Sequence, residues 1–271
     1  MAFIYLIFML SFPGVHNQPA AITDTEAGKI LQSMHEQIRS ISHHSYHLKV
    51  EERRTDHSIH QAEMLVSVQN EPLKVQLEPL KPNKGALIEY DAASNSREAV
   101  VTPSKWVPAV RFSEDIHGKM LRRGHYAINE TTLAFFDRVV SQLEETFVQK
   151  EVYGQSVRYP GDETVEGLAC YRIELFDPTY TINTYTVKEG ESLISIARKQ
   201  RVNPYKIREL NPEIEDYYQI SPGQRIRIPS SYCKRCVVLV DKTQFLPRRM
   251  EVYDEKGCFE KFVFSQLIVS R

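Results

Sequence analysis

The chain carries almost no net charge, with 34 lysines and arginines against 35 aspartates and glutamates in 271 residues. No field of one sign is available to hold a polyanion, so nucleic acid is not an expected partner. A run long enough to cross a bilayer is also missing. The apolar stretch within MAFIYLIFMLSFPGVHNQPA, residues 1–20, holds only about ten residues. That length fits the core of an export signal, with cleavage expected after Ala20 or Ala21, although no Lys or Arg precedes it. No Cys lies near its end, which argues against a lipid-modified N-terminus. The mature chain is expected to be exported and not transmembrane.

Catalytic signatures are absent as well. G-x-S-x-G does not occur. His35-Glu36 opens like a zinc-protease helix, but Arg39 stands where the second His belongs. His43, His44 and His47 cluster without a further ligand, and Glu51-Glu52 and Glu144-Glu145 fall on the polar positions of exposed elements. We therefore expect no enzyme, no cofactor and no metal site. The single tryptophan, Trp106, reads as a packing anchor, and Arg122 to His125 as a surface turn. Asn129-Glu130-Thr131 matches a glycosylation sequon, which has meaning only in a eukaryotic secretory route.

Cysteine is scarce: Cys170, Cys233, Cys236 and Cys258 are all there are. In an exported chain an even number defaults to disulfide pairing, so a structural bridge is expected. A redox role for Cys233-Lys-Arg-Cys236 is opposed by the strand-like VVLV that follows, because a low thiol pKa needs a helix N-terminus. Four-thiolate zinc remains the other alternative.

What is present is ordered patterning. Thr23-Asp24-Thr25-Glu26 reads as a capping box, followed by Ala27, Ile30, Leu31, Met34, Ile38 and Ile41 at helical spacing. Strict alternation follows through Tyr46, Leu48 and Val50, then Met64, Val66 and Val68, then Leu73, Val75 and Leu77, which predicts antiparallel strands with one apolar face. Short strands are expected near Leu87 to Tyr90 and Ala99 to Val101. A second long helix is expected through Leu133, Phe136, Val140, Leu143 and Phe147. QSVRYPGDETVEGLACYRIELF then reads as a strand pair with GDETVEG as its turn. Its continuation of equal quality begins only at Cys236 and runs through FEKFVFSQLIV. The intervening stretch interrupts a meander, and such an insert is tolerated when its own ends lie together.

Within the insert, YTVK and RIRIP read as strands, SLISIARKQ as a helix with Leu193, Ile196 and Ala197 inward, and Asn203-Pro204 as the cap of a second helix. Tyr185, Val187, Gly190, Leu193, Ile196, Ala197, Leu210, Asn211, Pro212, Pro222, Gly223, Gln224, Ile226 and Pro229 together resemble a LysM domain, with Glu191 where that family usually has Asp. The resemblance implies binding of N-acetylglucosamine-containing glycan such as peptidoglycan. It places the groove between Gly190, Glu191, Ser192 and Leu193 on one loop and Asn211, Pro212, Glu213 and Ile214 on the other. Loop N–H and C=O groups would pair with the sugar amide, while Leu193 and Ile214 would touch its methyl and ring.

The remaining chain, through PLKVQLEPLKPNKGALIEY, VVTPSKWVP, LRRGHYAI and LVDKTQFLPRRMEVYDEKG, resembles a secreted branch of the LolA and LolB lipoprotein-carrier superfamily. That resemblance implies an α+β fold, a curved antiparallel half-barrel with helices on its concave face, which holds lipid or lipoprotein. The expected division is a signal at 1–20, half-barrel at 21–182, LysM at 183–229, and final half-barrel strands at 230–271. Localisation in the periplasm or cell envelope follows. A wall-anchored structural protein without cargo is the alternative, and a peptidoglycan-active enzyme a further one.

Overall fold

The computed structural model describes residues 25–271 apart from 96, 105, 108, 119, 120, 122 and 123. The expected export signal, the Thr23-Asp24 half of the expected capping box and the arginines of the 122–125 turn lie outside the described residues. Helix α1, Glu26–Arg39, is capped by the Thr25 hydroxyl, which accepts from the Gly28 N–H at 3.0 Å. Strands β1 His43–Arg53, β2 Ile59–Gln69, β3 Lys74–Lys81, β4 Leu87–Asp91, β5 Glu98–Thr102 and β6 Phe112–Asp115 come next. Helix α2, Leu133–Gln149, begins where the Thr132 hydroxyl accepts from the Phe135 N–H. A short α3, Tyr153–Ser156, leads into β7 Val157–Val165 and β8 Leu168–Phe176. The insert supplies β9 Ile182–Thr186, α4 Leu193–Gln200, α5 Pro204–Leu210 and β10 Arg225–Pro229, and β11 Arg235–Asp241, β12 Pro247–Asp254 and β13 Gly257–Ser270 close the chain.

Among the described residues eleven strands form one antiparallel sheet in the order β6-β5-β4-β3-β2-β1-β13-β12-β11-β8-β7. Its two ends do not meet, so the sheet is open. Alternation decides its faces, because successive side chains on a strand point to opposite sides. Tyr46, Leu48, Val50, Val66, Val68, Val75 and Leu77 share the inner face and are buried with the apolar stripes of α1 and α2. Phe136 of α2 meets the rings of Phe262 and Phe264 at 4.8 and 5.1 Å, which seats that helix on β13. The fold is thus α+β, a large open sheet with few helices. No helix among the described residues is long and apolar enough to cross a membrane.

Several expectations need correction, among them the exposure of Glu52, Glu144 and His125, all of which are buried. The β7–β8 turn is not GDETVEG but the two residues Glu166 and Gly167, both at positive φ, the geometry whose twist suits a tight hairpin. Trp106 is no packing anchor: it lies between β5 and β6 and is 90% exposed. The cysteines form no disulfide and are all free thiols. The β8–β11 ladder explains part of this. Cys236 faces Leu175, whereas Cys170 faces Asp241 at the other end of β11. Cys170 packs with Val165, Val237 and Leu239 on the outer face, while Cys233 and Cys236 sit in the main core, so the four thiols do not converge on a metal.

Helix α1 is fixed to α2 by a buried charge cluster. His35 meets Asp137 through Nδ1 at 2.5 Å and Glu144 through Nε2 at 2.7 Å, and the Tyr153 hydroxyl donates to Glu144 at 2.7 Å. Both ring nitrogens face carboxylates, so the ring serves as a doubly protonated donor. Burial opposes that charge, but Asp137 and Glu144 outweigh it and raise the His35 pKa to about 9. Since this value lies above the unfolded value of about 6.5, the contribution to stability is complete below about pH 6.5 and is lost as pH rises through about 9. His35→Leu strands two buried carboxylates and should lower stability by about 3–5 kcal/mol near pH 6. Urea denaturation of parent and variant at several pH values checks this, and a gap that fails to narrow above pH 9 contradicts the assigned protonation.

Candidate functional site

The inserted elements build a small unit around the two loops expected to read glycan. β9 and β10 pair antiparallel, with Tyr185 opposite Ile226. The Ser192 hydroxyl caps α4 by accepting from the Ser195 N–H, and Asn203 Oδ1 caps α5 by accepting from the Tyr205 N–H with Pro204 at the first helical position. Gly190 turns the first loop at φ 74°, a conformation L side chains rarely adopt. Val187, Leu193, Ile196, Ala197, Ile207, Ile214, Tyr217, Ile226 and Ile228 form a core separate from that of the sheet. Leu121 of the host enters this core, and Tyr205 of α5 enters the host's.

The first loop is tied to the stretch that follows the second, because the Leu193 N–H donates to the Tyr217 carbonyl at 2.8 Å. Gly190, Pro212 and Glu213 are exposed, and Glu191 and Ser192 are half-buried. Leu193 and Ile214 are 0% and 4% exposed, so their side chains fill the core and are not presented to a sugar. This corrects the expected apolar contact, and the cause is that both residues complete the apolar faces around α4 and α5. Asn211 is also spent internally: its Nδ2 donates to the Ile207 and Arg227 carbonyls at 2.6 and 2.8 Å, and its Oδ1 accepts from the Arg227 N–H at 2.8 Å. Glu191 holds its own loop, accepting from the Lys188 N–H at 2.9 Å and from the Tyr185 hydroxyl at 2.8 Å. The Lys188 N–H, with help from Tyr185 and Lys199, keeps its carboxyl below the usual range. What these loops offer a ligand is therefore backbone edge, short polar groups and the exposed Glu213 carboxylate.

A second candidate lies on the sheet. A cavity of about 1140 Å³ opens over the inner face of β2 to β6, lined by Ala62, Met64, Pro79, Ile88, Val101 and Phe112 among others. Arg54, Lys81, Glu114 and Asp115 supply its charged residues. This volume is at the upper end of small-molecule sites.

The sequence did not disclose how the two units join. Arg53 of β1 makes a two-pronged contact with Glu209 of α5 at 2.9 and 3.2 Å and also pairs with Asp254. Lys206 of α5 donates to Glu209 at 2.8 Å, Asp254 at 2.5 Å and Glu255 at 2.8 Å. Arg53, Lys206, Glu209 and Asp254 are all buried. Burial opposes ionisation of Glu209 and Asp254, but their cationic partners hold both carboxyls below the usual range. Beside them His125 is stacked between Tyr205 and Phe259 at 4.2 and 4.3 Å, with Nδ1 on Glu260 at 2.8 Å and Nε2 on the Arg53 carbonyl at 2.9 Å. A sequence signal did exist: charged residues on an otherwise apolar helical face. Asp137 and Glu144 show it on α2, and Lys206 and Glu209 flank Ile207 on α5.

The model of the LysM domain family matches residues 185–229. By sequence no curated protein matches the chain. Similar solved structures include LprF from Mycobacterium bovis, 13% identical over 89% of this chain and 92% of that one at a TM-score of 0.42. The lipoprotein LppX from Mycobacterium tuberculosis is 12% identical over 88% and 93% at 0.39. A LolA superfamily protein from Nitrosomonas europaea is 11% identical over 90% and 94% at 0.32.

Lys206→Met leaves Glu209 and Asp254 sharing one arginine, and should cost about 3–5 kcal/mol. Calorimetric unfolding should split into two transitions as the unit around α5 detaches. A single transition shifted by less than about 1 kcal/mol would mean the ion cluster does not hold the junction.

Proposed function

We propose that this is an exported, non-enzymatic protein of the cell envelope. In this reading a LysM module, residues 183–229, is inserted between neighbouring strands β8 and β11 of a half-barrel and holds the chain on N-acetylglucosamine-containing glycan such as peptidoglycan. One observation carries it: the LysM match at 185–229 coincides with a strand-helix-helix-strand unit that has its own core. The half-barrel comprises residues 21–182 and 230–271. The reading groove runs between Gly190 to Leu193 and Asn211 to Ile214, with backbone groups and the exposed Pro212 and Glu213 making the contact. A single module binds weakly, and retention comes from the many equivalent sites on a polymer.

The inner-face cavity favours a second component, carriage of an apolar or acylated cargo, because Ala62, Met64, Ile88, Val101 and Phe112 line it. A wall-anchored protein without cargo is the competing reading. A peptidoglycan-active enzyme is disfavoured because the two histidines paired with carboxylates are closed to substrate: His125 is 1% exposed and His35 is buried between its carboxylates.

Purified peptidoglycan should pull down the intact protein, and Gly190→Gln with Pro212→Arg should reduce retention at least tenfold. Retention unaffected by both changes rejects the groove. Mass spectrometry of an organic extract of the purified protein should find an acyl species that Met64→Asp loses; its absence from the parent leaves the cargo-free reading.

A further inference from the structure

Between the two units lies another cavity, of about 440 Å³, within the size range of small-molecule sites. Two helix faces make its walls. From α2 come Phe135, Arg138, Val139 and Gln142, and from α4 and its end come Ile194, Ala197, Arg198 and Arg201. Each set follows the i, i+3, i+4, i+7 spacing of one helical face, so the helices look at each other across a gap rather than interlocking. Leu121, Val202, Pro204 and Tyr232 extend the apolar part of the lining.

Among the described residues that line it, the charges around this gap do not balance. Arg201 is paired with Glu145 of α2 at 2.7 Å, which bridges the helices. Arg138 lies over the Phe135 ring at 5.0 Å, and neither Arg138 nor Arg198 has an ion pair among the described residues. Glu130 is the carboxyl in the lining; it accepts from the Ala127 N–H at 3.0 Å, and burial pushes its pKa up against the pull of that N–H and both arginines. His117 also lines the cavity. Two guanidinium groups thus face one carboxyl that burial discourages from ionising. In the wall, Asn129 Oδ1 is buried without a hydrogen-bond partner among the described residues, and the Asn203 side chain reaches the Tyr232 hydroxyl. An apolar gap with surplus guanidinium at its edge matches a ligand of opposite charge and apolar body, since the planar fork of arginine pairs two-pronged with carboxylate or phosphate oxygens.

We propose that this junction cavity binds an amphiphilic anion, its carboxylate or phosphate head held by Arg138 and Arg198 and its apolar body lying between α2 and α4. Such a ligand touches both units at once. The proposal does not depend on the glycan reading or on the inner-face cavity.

Calorimetry on the full chain tests it, with laurate and dodecyl phosphate as the carboxylate and phosphate probes, dodecanol as the uncharged chain and inorganic phosphate as the bare head. At least one charged probe should bind one per chain, at least tenfold more tightly than dodecanol. Arg138→Ala with Arg198→Ala should remove at least that tenfold advantage. Gln142→Trp, which fills the gap from a half-buried position and keeps both guanidinium groups, should abolish binding. Several results overturn the proposal: no binding of either charged probe, undiminished affinity in the double arginine variant, or undiminished affinity in Gln142→Trp, which would put the chain elsewhere. Inorganic phosphate binding as tightly as the charged amphiphiles would reduce the site to an anion site and equally refute it. Peptidoglycan retention should be unchanged in both variants, so failure here and failure of the glycan groove are read separately.

Discussion

Two positive and two negative side chains, Arg53, Lys206, Glu209 and Asp254, sit buried at the junction of the two units, and the rest of the arrangement depends on their staying together. Such a set gains little net stability over apolar side chains, because desolvation offsets most of the attraction. Its effect is on geometry. Removing any member leaves an uncompensated buried charge, so only the docked orientation satisfies all four. The chain between the units adds to this. Asp177 N–H donates to the Lys234 carbonyl and Ser230 N–H to the Thr181 carbonyl, at 2.9 and 2.8 Å, so the two connecting strands stay paired as they leave the sheet. The β8–β11 ribbon passes almost without a break into the β9–β10 ribbon, and the ion cluster fixes the angle at which it does so.

His35 and His125 follow one rule in two places. Each is a buried imidazole whose two nitrogens both face acceptors, His35 between Asp137 and Glu144, and His125 between Glu260 and the Arg53 carbonyl. A catalytic histidine needs a nitrogen open to substrate and a pKa near the working pH. These have neither: both nitrogens are occupied and both rings are held as cations, His125 because Glu52 and Glu260 outweigh its burial. Their role is to lock helices. His35 fixes α1 against α2, and α2 in turn forms one wall of the junction cavity.

Periodicity made much of the architecture legible. Helical spacing from Ala27 to Ile38 and from Leu133 to Phe147, and alternation through Leu48, Val66 and Val75, reappear as α1, α2 and β1 to β3, because burying one face is a local property of a segment. Pairing between distant segments is not local. Nothing near Lys206 announces Asp254, and nothing near His35 announces Glu144. The strand pair β7–β8 is legible but its turn is misplaced, for a different reason: Glu166 adopts positive φ without being glycine, and GDETVEG resembles turn material although Gly161 to Val165 pair with β8. Trp106 misled because size normally implies burial, whereas here it stands outside the sheet with Val107 and Val110, also exposed.

The two loops of the small unit show how far residue identity carries a binding site. Leu193 and Asn211 carry the family resemblance and Ile214 is the expected second apolar contact, yet each is spent on building the loop: Leu193 and Ile214 fill its core, and Asn211 bonds Ile207 and Arg227. A ligand at these loops would meet the backbone those residues hold in place, so affinity there would depend on loop geometry more than on any exposed side chain. A loop defined this way tolerates little motion. That is a reason for the unit to be clamped to the sheet rather than hung on a flexible tether. The clamp also gives the two loops of the small unit a set orientation relative to the inner-face cavity, so a chain held on a surface through those loops would present that cavity at one angle and height.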